Sequence, residues 1–257
     1  MIQSILLSCI QFALLMFLVG CSPAAKNIAV FQEDFEQGFL DSYRWEVTTD
    51  GDFADFLVDV HDVDASQDTN YRLRLQANTI GTSDPLKFLG VRTTKELDFS
   101  AGRAVSFDLD WNDQANGCYL TASFYLCPTV SSNPKNEDNW LKFEYTGVPP
   151  GRNVRINVWE KIDGAIKPHY TDWGPRDDQD RPIGKYLEPG NHRIELLLGE
   201  NNLRVLEDDE EIYKLLGYES NFSTAYIYLQ MSSGTNYHTR EVYFDNIIVQ
   251  GIFPDTE

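Results

Sequence analysis

Polar and aromatic side chains alternate with apolar ones in several segments in the middle of this 257-residue chain. The polar and aromatic positions are Asp108, Asp110, Tyr119, Thr121, Ser123, Tyr125, Lys142, Glu144, Arg155, Asn157 and Trp159. Because successive side chains of a strand point to opposite faces, the alternation places this set on one face of a sheet. Aromatic rings stack on the apolar faces of sugars, while carboxylates, amides and arginine bond sugar hydroxyls. The pattern therefore predicts a carbohydrate-binding face, although half-exposed sheets also carry such residues without binding.

The predicted carbohydrate contacts are the rigid rings and the hydrogen-bonding side chains of that face. They are Tyr119, Ser123, Tyr125, Glu144, Arg155, Asn157 and Trp159. The opposite, apolar face is expected to line the core. Its members include Phe107, Leu109, Leu120, Ala122, Phe124, Leu126, Leu141, Phe143, Tyr145, Ile156 and Val158.

The elements that must position these residues are strands, since apolar residues recur with period two along most of the chain. The runs are Tyr71 to Gln76, Lys87 to Thr94, Ala104 to Trp111, Cys118 to Leu126, Trp140 to Tyr145, Val154 to Trp159, His192 to Leu198, Tyr226 to Met231 and Val242 to Val249. Glu210 to Leu216 is compatible with one helical turn or a short strand, and Tyr170 to Gly190 is expected to be irregular. The pattern predicts an all-β fold, an antiparallel two-sheet β-sandwich in one domain.

Both ends of this region resemble concanavalin A-like lectin and glucanase domains. The opening Phe31-Gln32-Glu33-Asp34-Phe35-Glu36-Gln37-Gly38, followed by Trp45, is similar to their first strand, turn and second strand. Tyr243-Phe244-Asp245-Asn246-Ile247-Ile248-Val249 is similar to their closing strand, and His192 to Leu206 to an internal hairpin. The resemblance implies a jelly roll of two curved sheets, in which the concave sheet forms the sugar-binding cleft.

The acidic strand Asp108-Leu109-Asp110-Trp111-Asn112-Asp113 resembles the catalytic strand of family 16 glycoside hydrolases. By that resemblance Asp108 would be the nucleophile, Asp110 its helper and Asp113 the acid/base. Retaining hydrolysis needs carboxyl groups about 5 to 5.5 Å apart. Aspartate in place of the family's outer glutamates withdraws each carboxyl by one methylene, and an error near 1 Å can cost about 100-fold in rate. Glycan binding without catalysis is therefore favoured. A glycoside hydrolase and a structural or protein-interaction module remain the alternatives.

A structural calcium ion is implied by the same resemblance, in which the ion joins the first strand to the last. The matching positions are Asp34, Asn70 and Asp245, and loop carbonyls and waters would complete the 6 to 8 oxygen ligands of Ca²⁺. The alternative is that Asp245 caps a turn or pairs with an arginine. Two other acidic groups lack the spacing of a calcium loop and are expected to be solvated. They are Asp59, Asp62, Asp64 and Asp68, and Asp177, Asp178 and Asp180.

Charge and cysteine content narrow the range of partners. The formal net charge of −19 excludes nucleic acid, whose phosphates need Lys and Arg, and favours partners that are neutral, cationic or bridged by a metal. The sequence contains no cluster of cysteine and histidine residues, and a zinc site is therefore not expected. Cys118 and Cys127 read as members of one strand, too far apart and on opposite faces, and we predict two free, largely buried thiols.

The N-terminus determines where the protein is expected to act. The apolar run Ile5 to Val19 is about fifteen residues long, whereas a transmembrane helix needs roughly 20. It ends at Leu18-Val19-Gly20-Cys21, which resembles the lipobox of bacterial lipoproteins. That resemblance implies cleavage after a signal peptide of residues 1–20, lipidation of Cys21 and attachment to the cell envelope, with Ser22 implying the outer membrane. Residues 21–28 would be a tether and residues 29–253 the sandwich. A plain secretion signal is the alternative.

Overall fold

Antiparallel strands make up most of the described structure. The computed structural model describes residues 29–64, 69–100, 102–110, 120–147, 155–172, 190–199 and 201–251. The strands are β1 (Ala29–Glu33), β2 (Trp45–Asp50), β3 (Asp55–Asp62), β4 (Tyr71–Asn78), β5 (Lys87–Thr93), β6 (Leu97–Asp98), β7 (Arg103–Asp110), β8 (Leu120–Cys127), β9 (Trp140–Gly147), β10 (Arg155–Ile162), β11 (Ala165–Asp172), β12 (Asn191–Leu198), β13 (Asn202–Glu207), β14 (Glu210–Leu216), β15 (Thr224–Ser233) and β16 (Arg240–Gly251). A short 3₁₀ helix spans Pro134–Asn136.

The strands form two eight-stranded antiparallel sheets. Sheet A has the order β14-β13-β12-β7-β16-β4-β3, with β1 paired to β16. Sheet B has the order β11-β10-β9-β8-β15-β5-β2, with β6 paired to β15. The two sheets pack face to face as a jelly-roll sandwich, and this confirms the predicted fold class.

The core between the sheets is built from the apolar side chains that alternation predicted. Leu109 of sheet A is buried in it, as are Phe124 and Phe143 of sheet B. The rings of Phe107 and Phe124 stack with centroids 4.5 Å apart and so join β7 to β8 across the sandwich. Each such side chain contributes roughly 1.5–3 kcal/mol by leaving water, and the core therefore fixes which face of each strand points inward.

The residues that resemble the family's opening form a buried clamp between β1 and β2. Glu33 is buried, and its carboxylate accepts hydrogen bonds from the backbone N–H of Phe35 (3.1 Å) and from Trp45 Nε1 (3.1 Å). Arg44 completes the clamp with an ion pair to Glu33 at 3.0 Å. Phe35 has a φ of 55°, a left-handed backbone that turns the chain between the two strands.

Some segments that the sequence pattern leaves unassigned are strands. Glu210–Leu216 is a strand rather than a helical turn, and β11 includes residues 170–172 of the segment expected to be irregular. Asp59 and Asp62 lie in β3 and not in a solvated loop. Asp59 forms a two-bond ion pair with Arg74, its cross-strand partner on β4.

Two further predictions concern thiols and membrane segments. Cys127 carries a free, buried thiol, as predicted, whereas Cys118 lies outside the described residues. The described part of the chain contains no helix with the length and apolar character to cross a membrane. The predicted signal peptide, Cys21 and the tether also lie outside the described residues, so these boundaries stay predictions.

Candidate functional site

The outer face of sheet B, which points away from the core, carries two rows of side chains across the strands. The first, the polar row, follows the pairing register from β2 to β10. It consists of Thr48, Gly90, Gln230, Ser123, Glu144 and Asn157. The second, the aromatic row, lies beside it. It consists of Glu46, Arg92, Tyr228, Tyr125, Lys142 and Trp159.

Lys142 occupies the middle of the aromatic row. Its ammonium lies over three rings, 4.7 Å from the centroid of Trp159, 5.6 Å from Trp140 and 5.7 Å from Tyr125. It also forms an ion pair with Glu144 at 2.6 Å. Rings within about 6 Å attract a cation through their negative faces, so the rings and the carboxylate hold Lys142 from several sides.

Glu144 connects the polar row to this cation. Its carboxylate accepts hydrogen bonds from Asn157 Nδ2 at 2.8 Å and from Ser123 Oγ at 3.3 Å, besides the ion pair with Lys142. Asn157 Nδ2 also lies 3.3 Å from Thr146 Oγ1. The amide nitrogen of Asn157 therefore donates within the sheet, and its Oδ1 is the atom that is left over.

Unpaired polar atoms are concentrated on this face. Six buried side-chain nitrogen or oxygen atoms in the described part of the chain have no hydrogen-bond partner. Five of them belong to the outer face of sheet B, namely Thr48 Oγ1, Arg92 Nε, Trp140 Nε1, Asn157 Oδ1 and Gln230 Nε2. Asn157 is 0% exposed and Gln230 2%, so bulk water does not satisfy them. An unpaired buried polar group costs about 1–3 kcal/mol, so five on one face make it the part of the described structure with the most unsatisfied hydrogen-bonding capacity.

The structure brings together most of the residues that the sequence predicted as carbohydrate contacts. Ser123, Tyr125, Glu144, Asn157 and Trp159 all lie on the outer face of sheet B. Trp159 is half-buried and the other four are buried. Tyr119 lies outside the described residues, and the side chain of Arg155 is not described. Their shared position is thus established for five residues, while their role in binding stays a prediction.

Asp108 and Asp110 do not belong to this face, and their predicted placement beside Tyr125 and Glu144 is wrong. Both lie on β7, in the middle of sheet A, on the other side of the sandwich. Asp108 Oδ1 accepts a hydrogen bond from Arg193 at 2.8 Å, and Asp110 pairs with Arg72 at 3.6 Å. Asp113 lies outside the described residues. Alternation separates the two faces of one strand but does not say which sheet that strand joins. The predicted placement of Asp108 and Asp110 failed for this reason.

Known structures with this architecture share little sequence with the chain. No family model matches the chain, and neither does any curated protein. An endo-1,3-beta-glucanase (laminarinase) catalytic domain from Thermotoga petrophila has a TM-score of 0.59 at 14% identity, covering 88% of this chain and 98% of that one. A Bacteroides ovatus mixed linkage glucan GH16 protein in complex with product has a TM-score of 0.58 at 15% identity, covering 86% and 99%. These likenesses show the fold. They are consistent with the concanavalin A-like domain that the sequence resembles.

A protein of unknown function with a galectin-like fold from Bacillus subtilis is also similar. Its TM-score is 0.55 at 9% identity, and the match covers 88% of this chain and 97% of that one. Matches of this extent indicate that the described sandwich corresponds to a whole domain in each of these proteins.

A guanidinium group lies between two of the three predicted calcium ligands. Arg72 Nε lies 3.5 Å from Asn70 Oδ1 and 3.9 Å from Asp245 Oδ2. Asp34 is exposed, and its carboxylate accepts a hydrogen bond from the backbone N–H of Glu36. As placed, the three residues do not fit a calcium site, because Arg72 supplies the positive charge between two of them. The arrangement favours the alternative, in which Asp245 pairs with an arginine.

Asp245 is also next to a second carboxylate. It is the cross-strand partner of Asp108, and Asn246 Nδ2 donates to both, at 2.8 Å to Asp108 and 3.3 Å to Asp245. Burial raises the pKa of Asp245 to about 7, with Asp108 adding to the effect. Two acidic positions that sequence reasoning assigned to separate sites thus form one pair on sheet A.

Several residues of the outer face of sheet B were not predicted as contacts. Trp140 has the same parity as Lys142 and Glu144, so alternation along β9 was a signal that could have found it. Arg92 follows the core residue Val91 on β5, so alternation also predicts that its side chain points away from the core. Thr48 had no such signal, because β2 lacks a clear period-two pattern.

Proposed function

We propose that this protein binds a glycan on the outer face of sheet B and does not cleave it. The observation that carries the proposal is the group of five buried, unpaired polar atoms beside aromatic rings on one face. Sugar hydroxyls both donate and accept hydrogen bonds, which is the chemistry that Asn157 Oδ1 and Gln230 Nε2 together require. The ring of Trp159, which is half-buried, offers a surface for stacking.

Proteins with a similar fold support this class of ligand. The Thermotoga petrophila protein is an endo-1,3-beta-glucanase. Another similar structure is an endo-β-galactosidase from Clostridium perfringens, with a TM-score of 0.59 at 10% identity over 90% of this chain and 64% of that one. Both names describe enzymes that act on glycans. We therefore choose soluble β-glucans and galactans as the first ligands for the present protein.

Binding without hydrolysis is supported by the spacing of carboxylates. Among described residues, the two rows contain Glu46 and Glu144, on strands four positions apart in sheet B. Strands lie about 4.8 Å apart, so these residues are separated by roughly 19 Å, whereas glycosidases need carboxyl groups about 5 to 9.5 Å apart. Asp108 and Asp110 lie in sheet A and cannot complete such a pair on the outer face of sheet B.

The experiment is a titration of the mature domain with a panel of β-glucan and galactan oligosaccharides by calorimetry. Trp159→Ala should weaken binding about tenfold, because it removes the ring on which a sugar stacks. Asn157→Leu should have a similar effect through the loss of a hydrogen-bond acceptor. Ile166→Ala is the control, since this residue is exposed on the neighbouring strand β11 and belongs to neither row.

Two outcomes would contradict the proposal. Absence of binding to a broad glycan array by the wild-type domain would remove the glycan-binding function. New reducing ends from any ligand of the panel would instead establish the hydrolase alternative. In that case Asp108→Asn would decide whether the acidic strand of β7 takes part.

We also propose that the sandwich works at the bacterial cell envelope, attached through a lipid on Cys21 and held at the outer membrane. The resemblance of Leu18-Val19-Gly20-Cys21 to a lipobox supports this placement. A tether of eight residues at about 3.3–3.6 Å each keeps the domain within roughly 30 Å of the membrane. The protein would therefore act on glycan that reaches the envelope.

A further inference from the structure

We propose that the glycan bound by this protein carries no net negative charge. The inference rests on the proposed function and names the chemical class of its ligand. It depends on how the positive charges of the polar row and the aromatic row are used. Recognition of an anionic polysaccharide requires cations whose charge remains available for its sulfate or carboxylate groups.

The charge of Lys142 is already balanced within the protein. Its ammonium pairs with Glu144 at 2.6 Å, and both side chains are at least nine-tenths buried. The rings of Tyr125, Trp140 and Trp159 lie around it. A second carboxylate or sulfate beside this pair would face Glu144 at close range and would be repelled in a poorly solvated environment.

Arg92, the other cation of the aromatic row, is balanced in the same way. Its guanidinium pairs with Glu46, donates to the backbone oxygen of Thr93 at 2.9 Å and lies 5.0 Å from the ring centroid of Tyr226. Each described cation of the two rows therefore has a carboxylate partner within the rows. The charges of Lys142 and Arg92 are cancelled by those of Glu144 and Glu46, so the two rows together carry no net charge.

The atoms that remain unpaired suit a neutral ligand. Asn157 Oδ1 is an acceptor, Gln230 Nε2, Trp140 Nε1 and Arg92 Nε are donors, and Thr48 Oγ1 can act as either. An anionic group only accepts hydrogen bonds and would leave Asn157 Oδ1 without a partner. Hydroxyl groups satisfy both kinds of atom. The net charge of −19 adds a long-range repulsion against any polyanion.

The test compares two derivatives of one β-1,3-glucan oligosaccharide that differ in charge and match in bulk. One carries carboxymethyl groups, the other neutral hydroxyethyl groups, and the unmodified oligosaccharide is the reference. We expect the carboxymethyl derivative to bind at least about tenfold more weakly than the hydroxyethyl one at low salt. Equal or tighter binding of the carboxymethyl derivative would overturn the inference and leave the proposed function intact. Failure of all three to bind, together with a blank glycan array, would overturn both.

Charge-release variants test the assigned cause. Glu144→Gln removes the carboxylate that lies 2.6 Å from Lys142, and Glu46→Gln removes the carboxylate that pairs with Arg92. Each should reduce the discrimination against the carboxymethyl derivative several-fold, whereas Glu195→Gln on sheet A should not. The side chain of Glu46 is 60% exposed, so Glu46→Gln remains informative if Glu144→Gln does not fold. Discrimination that is unchanged in every folded charge-release variant would contradict the role of these ion pairs.

Discussion

Asp245 is a residue whose surroundings set its chemistry more than its type does. It lies next to Asp108 on the adjacent strand and is buried in sheet A, with Asn246 and Arg72 as its polar neighbours. These neighbours only partly compensate the loss of water, and burial raises the pKa of Asp245 from 3.8 to about 7. Such a shift makes folding stability depend on pH.

We expect the stability of the wild-type protein to fall as the pH rises from about 4 to about 7. In this range the folded chain keeps a proton on Asp245 that the unfolded chain has lost, so the raised pKa favours folding only at low pH. Asp245→Asn keeps the shape without the charge and should flatten this part of the profile. Urea unfolding of both proteins at a series of pH values measures the effect. Parallel profiles for the two proteins would contradict the assignment to Asp245.

Arg72 leads to a specific expectation for calcium. Because its guanidinium lies between Asn70 and Asp245, we expect the melting temperature to be unchanged by calcium or by a chelator. Differential scanning fluorimetry with each addition provides the measurement. A chelator-induced fall in the melting temperature that disappears in Asp245→Ala would instead establish the calcium site at Asp34, Asn70 and Asp245.

The turn between β1 and β2 shows how one buried carboxylate organises an element. Glu33 binds the backbone of Phe35, the indole of Trp45 and the guanidinium of Arg44. The sequence suggested this turn only by its resemblance to a family opening. The structure supplies the physical reason, which is a buried anion whose hydrogen-bond partners come from both strands.

Glu33→Ala should destabilise the fold by about 3 kcal/mol, because it removes the buried carboxylate that binds Arg44, the indole N–H of Trp45 and the backbone of Phe35. Chemical denaturation followed by tryptophan fluorescence measures the loss. Asp55→Ala, at an exposed position of β3, serves as the matched control and should change the stability by less than about 0.5 kcal/mol. A Glu33→Ala protein as stable as the control would show that the clamp contributes little.

The strands of the outer face of sheet B were predicted with differing success. β8, β9 and β10 have strong period-two patterns, and the sequence placed Ser123, Tyr125, Glu144, Asn157 and Trp159 on one face correctly. β2 was not predicted as a strand from its pattern, although Trp45 was expected at the start of a strand. Thr48 and Glu46 were therefore missing from the predicted site, even though they complete its two rows.

At the scale of the whole molecule, the lipobox-like segment and the sandwich make one joint prediction. A protein attached through Cys21 should incorporate radiolabelled palmitate in bacterial cells and sediment with the membrane fraction. Cys21→Ser should abolish both, because the thiol that carries the lipid is lost. Cys127→Ser is the control, since that thiol is buried in the folded domain and is far along the chain from the lipobox-like segment. Unchanged labelling in Cys21→Ser would contradict the anchor.

Local pattern was enough to determine the all-β class, the inward-facing residues and most of the polar face of sheet B. The reason is that the alternation of side chains is a property of each strand by itself. Only the tertiary structure decided that β7 joins sheet A while β8, β9 and β10 join sheet B. Strand pairing depends on contacts between distant parts of the chain, and the same alternating pattern suits either sheet. The pairing of β7 with β16 places Asp108 beside Asp245, on the opposite side of the sandwich from Glu144.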